Sequence, residues 1–210
     1  PGIGKVPQPQ PIPKGLDYDL WSDPAPMQPL RREFLHYDWH WDWQTGNGDI
    51  GNMGIHYLDG CRMATGQGLP RHVLSLGGRF GYDDDGQTPN SQLVYFDYDP
   101  APVLFEVRGL PREKSLLGAT WNARAMDNLR GQQTGVVIFC EGGYLAANKV
   151  FDTQGKLLRE FKDQKQRSYE NFLAVVRSRK HEDLTADIED GHLSAALVHM
   201  GNISYRLGKT

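Results

Sequence analysis

Three segments, HVLSLGGRFGY (72–82), SQLVYFDY (91–98) and PVLFEVRGL (102–110), follow one another with only DDDGQTPN and DPA between them. They are rich in Val, Leu, Phe and Tyr, which suit a pleated, half-buried surface, and the intervening residues are turn formers. A second group, QTGVVIFCEGGYLAANKVFDTQGKLLREF (133–161), divides in the same way at EGG and at a DTQG hairpin turn. Strands joined by short turns pair antiparallel. A parallel sheet needs helical crossovers, and no βαβαβ succession is present. The chain therefore does not encode a doubly wound nucleotide fold.

Helical patterns flank these strands. From about Asn52 to Ala64 the apolar positions Met53, Ile55, Leu58, Cys61 and Met63 fit a helix, ended by Gly66, Gly68 and Pro70. Two more close the chain. SYENFLAVVRSRK (168–180) has Ser168 as a candidate N-cap and an apolar face of Phe172, Leu173, Val175 and Val176. EDGHLSAALVHMGNISYRL (189–207) carries Leu193, Ala196, Leu197, Met200, Ile203 and Leu207 at helical spacing. The start differs: residues 1–14 hold five prolines, so they are extended and polyproline-like. Residues 15–30 continue as loop, with Leu16, Leu20 and Trp21 as anchors. The expectation is α+β, with residues 1–35 as a proline-rich connector and docking loop and 36–210 as one domain.

Hydrophobic residues make up 39% of the chain and charged residues 23%, the balance of a folded globular protein. The formal charge is −3, which gives no electrostatic reason to expect nucleic acid. No apolar run reaches the roughly 18–20 residues that span a bilayer. A soluble protein, cytoplasmic or periplasmic, is expected. Cys61 and Cys140 form neither a disulfide framework nor a zinc motif.

The chemistry concentrates between His36 and Arg62. HYDWHWDW (36–43) alternates, so as a strand it would set His36, Asp38, His40 and Asp42 on one face and Tyr37, Trp39, Trp41 and Trp43 on the other. The polar set is a polar strand face or, alternatively, a metal-ligand set; the aromatic set is core or a sugar-stacking surface. GNGDIG (46–51) formally matches G-x-G-x-x-G, but the preceding segment is half charged and the acid expected about 20 residues on falls near Arg71. It is better understood as a tight turn into the helix. Asn52 and His56 are four apart and share a helical face, where an imidazole can exchange a proton with a substrate hydroxyl. A structural histidine is the plainer alternative. DDDG (83–86) lacks the downstream Glu of a calcium loop and is taken as a solvated turn, one of whose carboxylates could reach a sugar hydroxyl. Glu106 and Arg108 share one strand face.

Taken together, GLDYDLWSDPAP (15–26), HYDWHWDWQTGNGDIGNMGIHYLDGCR (36–62), GGRFGYDDDGQTPNSQLVYFDY (77–98), FEVRGLP (105–111) and HLSAALVHMGNISYRLG (192–208) resemble the C-terminal part of the glucose–fructose oxidoreductase / inositol dehydrogenase / MocA (Gfo/Idh/MocA) family. The resemblance implies an open, mainly antiparallel sheet flanked by helices, a dihydrodipicolinate-reductase-like C-terminal domain that lines the substrate site and mediates oligomerisation. It implies a parent enzyme with an N-terminal Rossmann domain that binds NAD or NADP and carries a catalytic Lys in an E-K-P motif. These 210 residues contain no E-K-P. No cofactor is expected for them by themselves, and no metal.

The family's second catalytic signature is an Asp four residues before a His. That register puts His56 at the His and Asn52, an amide that cannot act as a base, at the Asp. Asp49 is a nearby substitute carboxylate, and Trp39, His40, Arg79, Gln87, Glu106 and Arg108 complete the expected substrate wall. The implied activity is oxidation or reduction of a sugar, glycoside or cyclitol hydroxyl by a homo-oligomer formed through the open sheet, the isolated chain being inactive. Two readings compete with it: a non-catalytic carbohydrate-binding or assembly module, and a metal-dependent sugar isomerase or lyase using His36 and His40.

Overall fold

The computed structural model describes residues 2–113, 115, 126–162 and 168–208. The strand segments form as the turns dictate. β1 (Val73–Gly78), β2 (Ser91–Phe96) and β3 (Val103–Arg108) make an antiparallel three-stranded sheet in that order. β4 (Val137–Cys140), β5 (Gly143–Ala146), β6 (Lys149–Asp152) and β7 (Leu157–Glu160) make an antiparallel four-stranded meander. The α+β expectation holds.

Two helices cover one face of the first sheet. α3 (Ile55–Thr65) ends at Gly66, whose φ of 67° is left-handed and whose N–H donates to Arg62 O. α4 (Ser168–Ser178) precedes α5 (Ile188–Leu207), which starts at Asp187, whose carboxylate accepts from Glu189 N, and ends at Gly208. Between helices and sheet lie Ile50, Leu58, Val73, Val94, Phe96, Val107, Leu197 and Val198, all buried. Gly201 lets α5 approach: a Cβ there would stand 3.1 Å from Ile50 Cδ1 and 3.4 Å from Val94 Cγ1.

The interface between α5 and the sheet is also polar. Ser75 N donates to Ser204 Oγ, and Gln92 Nε2 donates to Ser75 Oγ and Asn202 Oδ1. Asn202 Nδ2 donates to Asn47 O at 2.9 Å, which ties α5 to the glycine-rich loop. Arg62, itself buried, donates to Ser194 Oγ and Asp190 O, and Ser194 Oγ donates to Asp59 on α3. Asn202→Leu should lower stability by about 1–3 kcal/mol, because it removes the donor to the Asn47 carbonyl and one of the two acceptors of the buried Gln92 amide. Urea unfolding of the variant against the parent measures this.

The opposite face of the same sheet is bare among the described residues. The cross-strand rows Leu74–Tyr95–Leu104 and Leu76–Leu93–Glu106 point outward.

Two further elements correct the sequence-based expectation. Residues 36–43 are not a strand. Leu35–Asp38 is a short helix (α2), and Trp39–Trp41 continues as a 3₁₀ turn. Asp38 is buried and its carboxylate accepts from Phe34 N, which satisfies a free donor at the helix start. Tyr37 packs edge-on against both His40 and Trp41, the contacts that helical spacing brings together. In the loop before it, Tyr18–Ser22 is helical (α1), capped by Asp17. Leu20, expected as an anchor, is exposed there, while Trp21 is half-buried.

The proline-rich start is extended, and it docks on DDDG. Ile3 N donates to Asp84 and Val6 N to Asp85, Asp85 N donates to Gly4 O, and Lys5 pairs with Asp83. The turn expected to be solvated thus spends its carboxylates on the chain's own first residues. Further along, Gln10 N donates to Leu30 O, and Arg32 N to the Gln10 side chain.

Candidate functional site

The glycine-rich loop is built for close chain packing. A Cβ at Gly46 would lie 2.5 Å from both the His40 and Trp39 carbonyl oxygens, and one at Gly48 would lie 2.8 Å from Thr88. The helix then opens at Gly48, earlier than the expected start near Asn52, and passes through a wide π-type segment, Ile50–Gly54, before the regular α3. Gly54 is needed in it, since a Cβ would stand 2.6 Å from the Phe105 ring. The loop does not fit a dinucleotide pyrophosphate. Carbonyl oxygens, not N–H groups, crowd its first glycine, and no parallel strand precedes it.

Asn52 sits inside the wide segment and is half-buried, and His56 sits one helical step on and is exposed. Neither side chain has a hydrogen-bond partner among the described residues. Such segments often occur at functional sites, because the widened turn re-aims the side chains it carries.

Asp49 directly precedes the wide segment. Burial pushes its carboxyl above the usual range, and the Trp41 indole, the Arg79 guanidinium and His40 only partly offset this. Asp49, Arg79 and His40 are therefore electrostatic neighbours. Two of them already have partners. His40 Nδ1 bonds to Tyr37 O, and its ring stacks on Trp39 at 3.8 Å. Arg79 donates to Asp84 through Nε at 2.6 Å and Nη2 at 2.5 Å. Gln87 is exposed, and its carbonyl accepts from Trp43 N. Glu106 and Arg108 pair at 3.4 Å on the outward face of β3, while the inward Phe105 meets the wide segment. The sheet thus separates Glu106 and Arg108 from the Asn52 side.

The four polar residues that a strand would have aligned are dispersed. Asp38 caps α2, Asp42 pairs with Arg32, and His40 bonds to the backbone. No three His, Cys, Asp or Glu side chains converge on a metal-sized site among the described residues.

A cleft of about 400 Å³ lies beside this region, lined by Trp21, Ser22, Asp23, Pro24, Ala25, Trp39, Gln44 and Thr45. Of these only Trp39 was expected from sequence. The others come from loops whose spacing carries no signal of convergence. Among the described residues no helix is long and apolar enough to cross a membrane.

Residues 3–71, which include Asn52 and His56, match the model of the Gfo/Idh/MocA oxidoreductase family, C-terminal alpha/beta domain. No curated protein matches the chain. Among solved structures, a "putative oxidoreductase" from Thermotoga maritima is similar at TM-score 0.57 and 19% identity, over 82% of this chain and 49% of that one. One from Bacillus subtilis aligns at TM-score 0.46 and 10% identity, over 76% and 50% of the two chains. One from Klebsiella pneumoniae aligns at 0.47 and 12%, over 77% and 49%. The chain spans about half the length of these structures. Residues 3–71 are thus similar to the C-terminal alpha/beta domain of the Gfo/Idh/MocA oxidoreductases, and the chain shares its fold with the Thermotoga maritima structure.

Proposed function

We propose that this chain is the substrate-side and oligomerisation part of an NAD(P)-dependent oxidoreductase acting on a hydroxyl of a sugar, glycoside or cyclitol. The observation that carries the reading is the family match across residues 3–71, which contains the Asn52–His56 pair on one helical stretch. Nicotinamide would supply hydride transfer and would be bound outside the glycine loop. The role of these residues is narrower. His56, exposed and free of internal partners, exchanges the proton of the reacting hydroxyl. Asn52 donates or accepts a hydrogen bond that orients that hydroxyl; it cannot take the proton. Asp49, whose carboxyl burial raises, is the carboxylate that directly precedes the wide segment. The exposed, apolar outward sheet face around Leu74, Leu93, Tyr95 and Leu104 supports the homo-oligomer expected from the resemblance.

The full-length protein, incubated with NAD⁺ or NADP⁺ and a panel of aldoses, methyl glycosides and cyclitols, should show substrate-dependent nicotinamide reduction with at least one of them. The 210 residues by themselves should show neither turnover nor nucleotide binding. No reduction with any member of the panel sinks the reading. A second reading, carbohydrate binding without chemistry, is favoured by one observation: neither Asn52 nor His56 lines the cleft of about 400 Å³. Sugar binding without turnover would select it.

A further inference from the structure

We propose that the cleft between the Trp21–Ala25 segment and the Trp39–Thr45 loop binds a small molecule bearing a guanidinium group, held by the Trp39 indole, the Asp23 carboxylate and the Ser22 hydroxyl. The protein already applies this set of groups to one of its own side chains. The Arg32 guanidinium lies over the Trp21 ring at 4.9 Å, pairs through Nη2 with Asp42 at 3.2 Å, and donates from the same nitrogen to Thr45 Oγ1 at 2.9 Å. An indole, a carboxylate and a hydroxyl thus enclose a planar cation whose side chain is only 9% exposed. A guanidinium tolerates such enclosure because it is weakly hydrated, stacks on aromatic faces and directs its N–H groups outward in its own plane.

The neighbouring cleft, of about 400 Å³, brings the same three kinds of group together. Trp39 is fixed by donation from Nε1 to His36 O and by the His40 ring, stacked on one face at 3.8 Å. No cation lies over Trp39 among the described residues. Asp23 is exposed, and its carboxylate has no hydrogen-bond or ion-pair partner among the described residues. Ser22 is only 7% exposed, yet its hydroxyl also has no hydrogen-bond partner among them. A hydroxyl so enclosed ordinarily has one. Ser22 lines the cleft, where an N–H of a bound molecule would supply it.

Charge and donor count select the ligand. Among the described residues that line the cleft, Asp23 alone is charged. It repels an anion, and an anion cannot turn to Arg32, whose free Nη1 is closed off from solvent. A neutral molecule gains neither the attraction of the indole face for a cation nor a charge-assisted bond to Asp23. A quaternary ammonium brings no N–H for Ser22 or Asp23. A guanidinium satisfies all three groups at once.

The proposal does not rest on the oxidoreductase reading. Binding is measured without nicotinamide or turnover, so either can fail alone. Butylguanidine and butylurea share a shape and differ in charge. Each is titrated calorimetrically into the purified full-length protein, with D-glucose as a third probe. Butylguanidine should bind saturably, and about tenfold more tightly than butylurea. Trp39→Leu should weaken butylguanidine by about tenfold. Ser22→Ala and Asp23→Asn should each weaken it severalfold, the smaller effect expected where solvent screens an exposed carboxylate. Circular dichroism confirms that each variant is folded. Neither the Ser22 nor the Asp23 side chain bonds to another part of the protein among the described residues, so these two variants decide if Trp39→Leu is not folded. The proposal is overturned if butylguanidine does not saturate, if butylurea or D-glucose binds as tightly, or if the folded cleft variants bind butylguanidine as the parent does.

Discussion

His56→Ala in the full-length enzyme should lower kcat by about 10²–10⁴-fold, the worth of a positioned proton-transfer group. The unfolding midpoint should not move, because the side chain is exposed and has no internal partner to lose. The combination distinguishes a proton-exchanging histidine from a structural one. A structural histidine would cost stability when removed, and activity only in proportion. His56→Gln keeps a hydrogen-bonding side chain but cannot exchange the proton, so its kcat should fall nearly as far while KM changes little. Steady-state kinetics of both variants, beside thermal unfolding, test this. An unchanged kcat in either variant removes His56 from the chemistry.

Asp84→Ala should destabilise the fold by about 3–5 kcal/mol, because it removes the carboxylate that pairs with the buried Arg79 guanidinium. The pair is well enclosed: the side chains are 10% and 4% exposed. Asp84 also accepts from Ile3 N and Gly86 N, so the substitution orphans those donors as well. Burial by itself would raise the Asp84 carboxyl, but the Arg79 guanidinium and these two N–H groups outweigh it and hold the carboxyl below its usual range. The sign of the pH dependence follows. A carboxylate with a lowered folded-state pKa stabilises the fold above its unfolded pKa, and that contribution is lost as pH falls through the folded value. Acid unfolding of the parent should therefore steepen below the ordinary carboxylate range, and Asp84→Ala should flatten that part of the curve. Chemical denaturation at neutral and acid pH measures both effects. Equal stability of parent and variant at neutral pH would count against the pair.

The strands were legible because Val, Leu, Phe and Tyr are concentrated between explicit turns, and a hairpin sheet needs little more than local information. Gly66 as the stop of α3 was legible for the same reason. HYDWHWDW was not. Its aromatics satisfy both a period of two and the three- and four-residue spacings that join Tyr37 to His40 and Trp41. What decides for the helix is the buried Asp38 cap on Phe34 N, a tertiary circumstance that alternation does not encode. The polar face that had suggested metal ligands dissolved with the strand. Asn52 and His56 were singled out only through a family register, and the wide segment between Ile50 and Gly54 leaves no mark in composition. Arg79 illustrates a different limit. Its residue type suits a substrate wall, but its partner Asp84 lies in a turn that looked solvated, and only the fold shows that the two neutralise each other. Asp23 and Gln44 were invisible because a cleft made of two loops has no periodicity.

The docking of the first residues on DDDG joins positions about 80 apart in sequence. Closing so long a loop carries a large entropic cost before any contact rewards it. The acidic turn must therefore already be held by β1 and β2 when Ile3 and Val6 reach it, so this strap forms late in folding. It is also held mainly by contacts at the surface. It can therefore peel away and return while Val94, Phe96 and Leu197 stay packed, a local opening far cheaper than global unfolding. Each such opening would free Asp83 and Asp85 of their strap partners while Asp84 stays paired with Arg79.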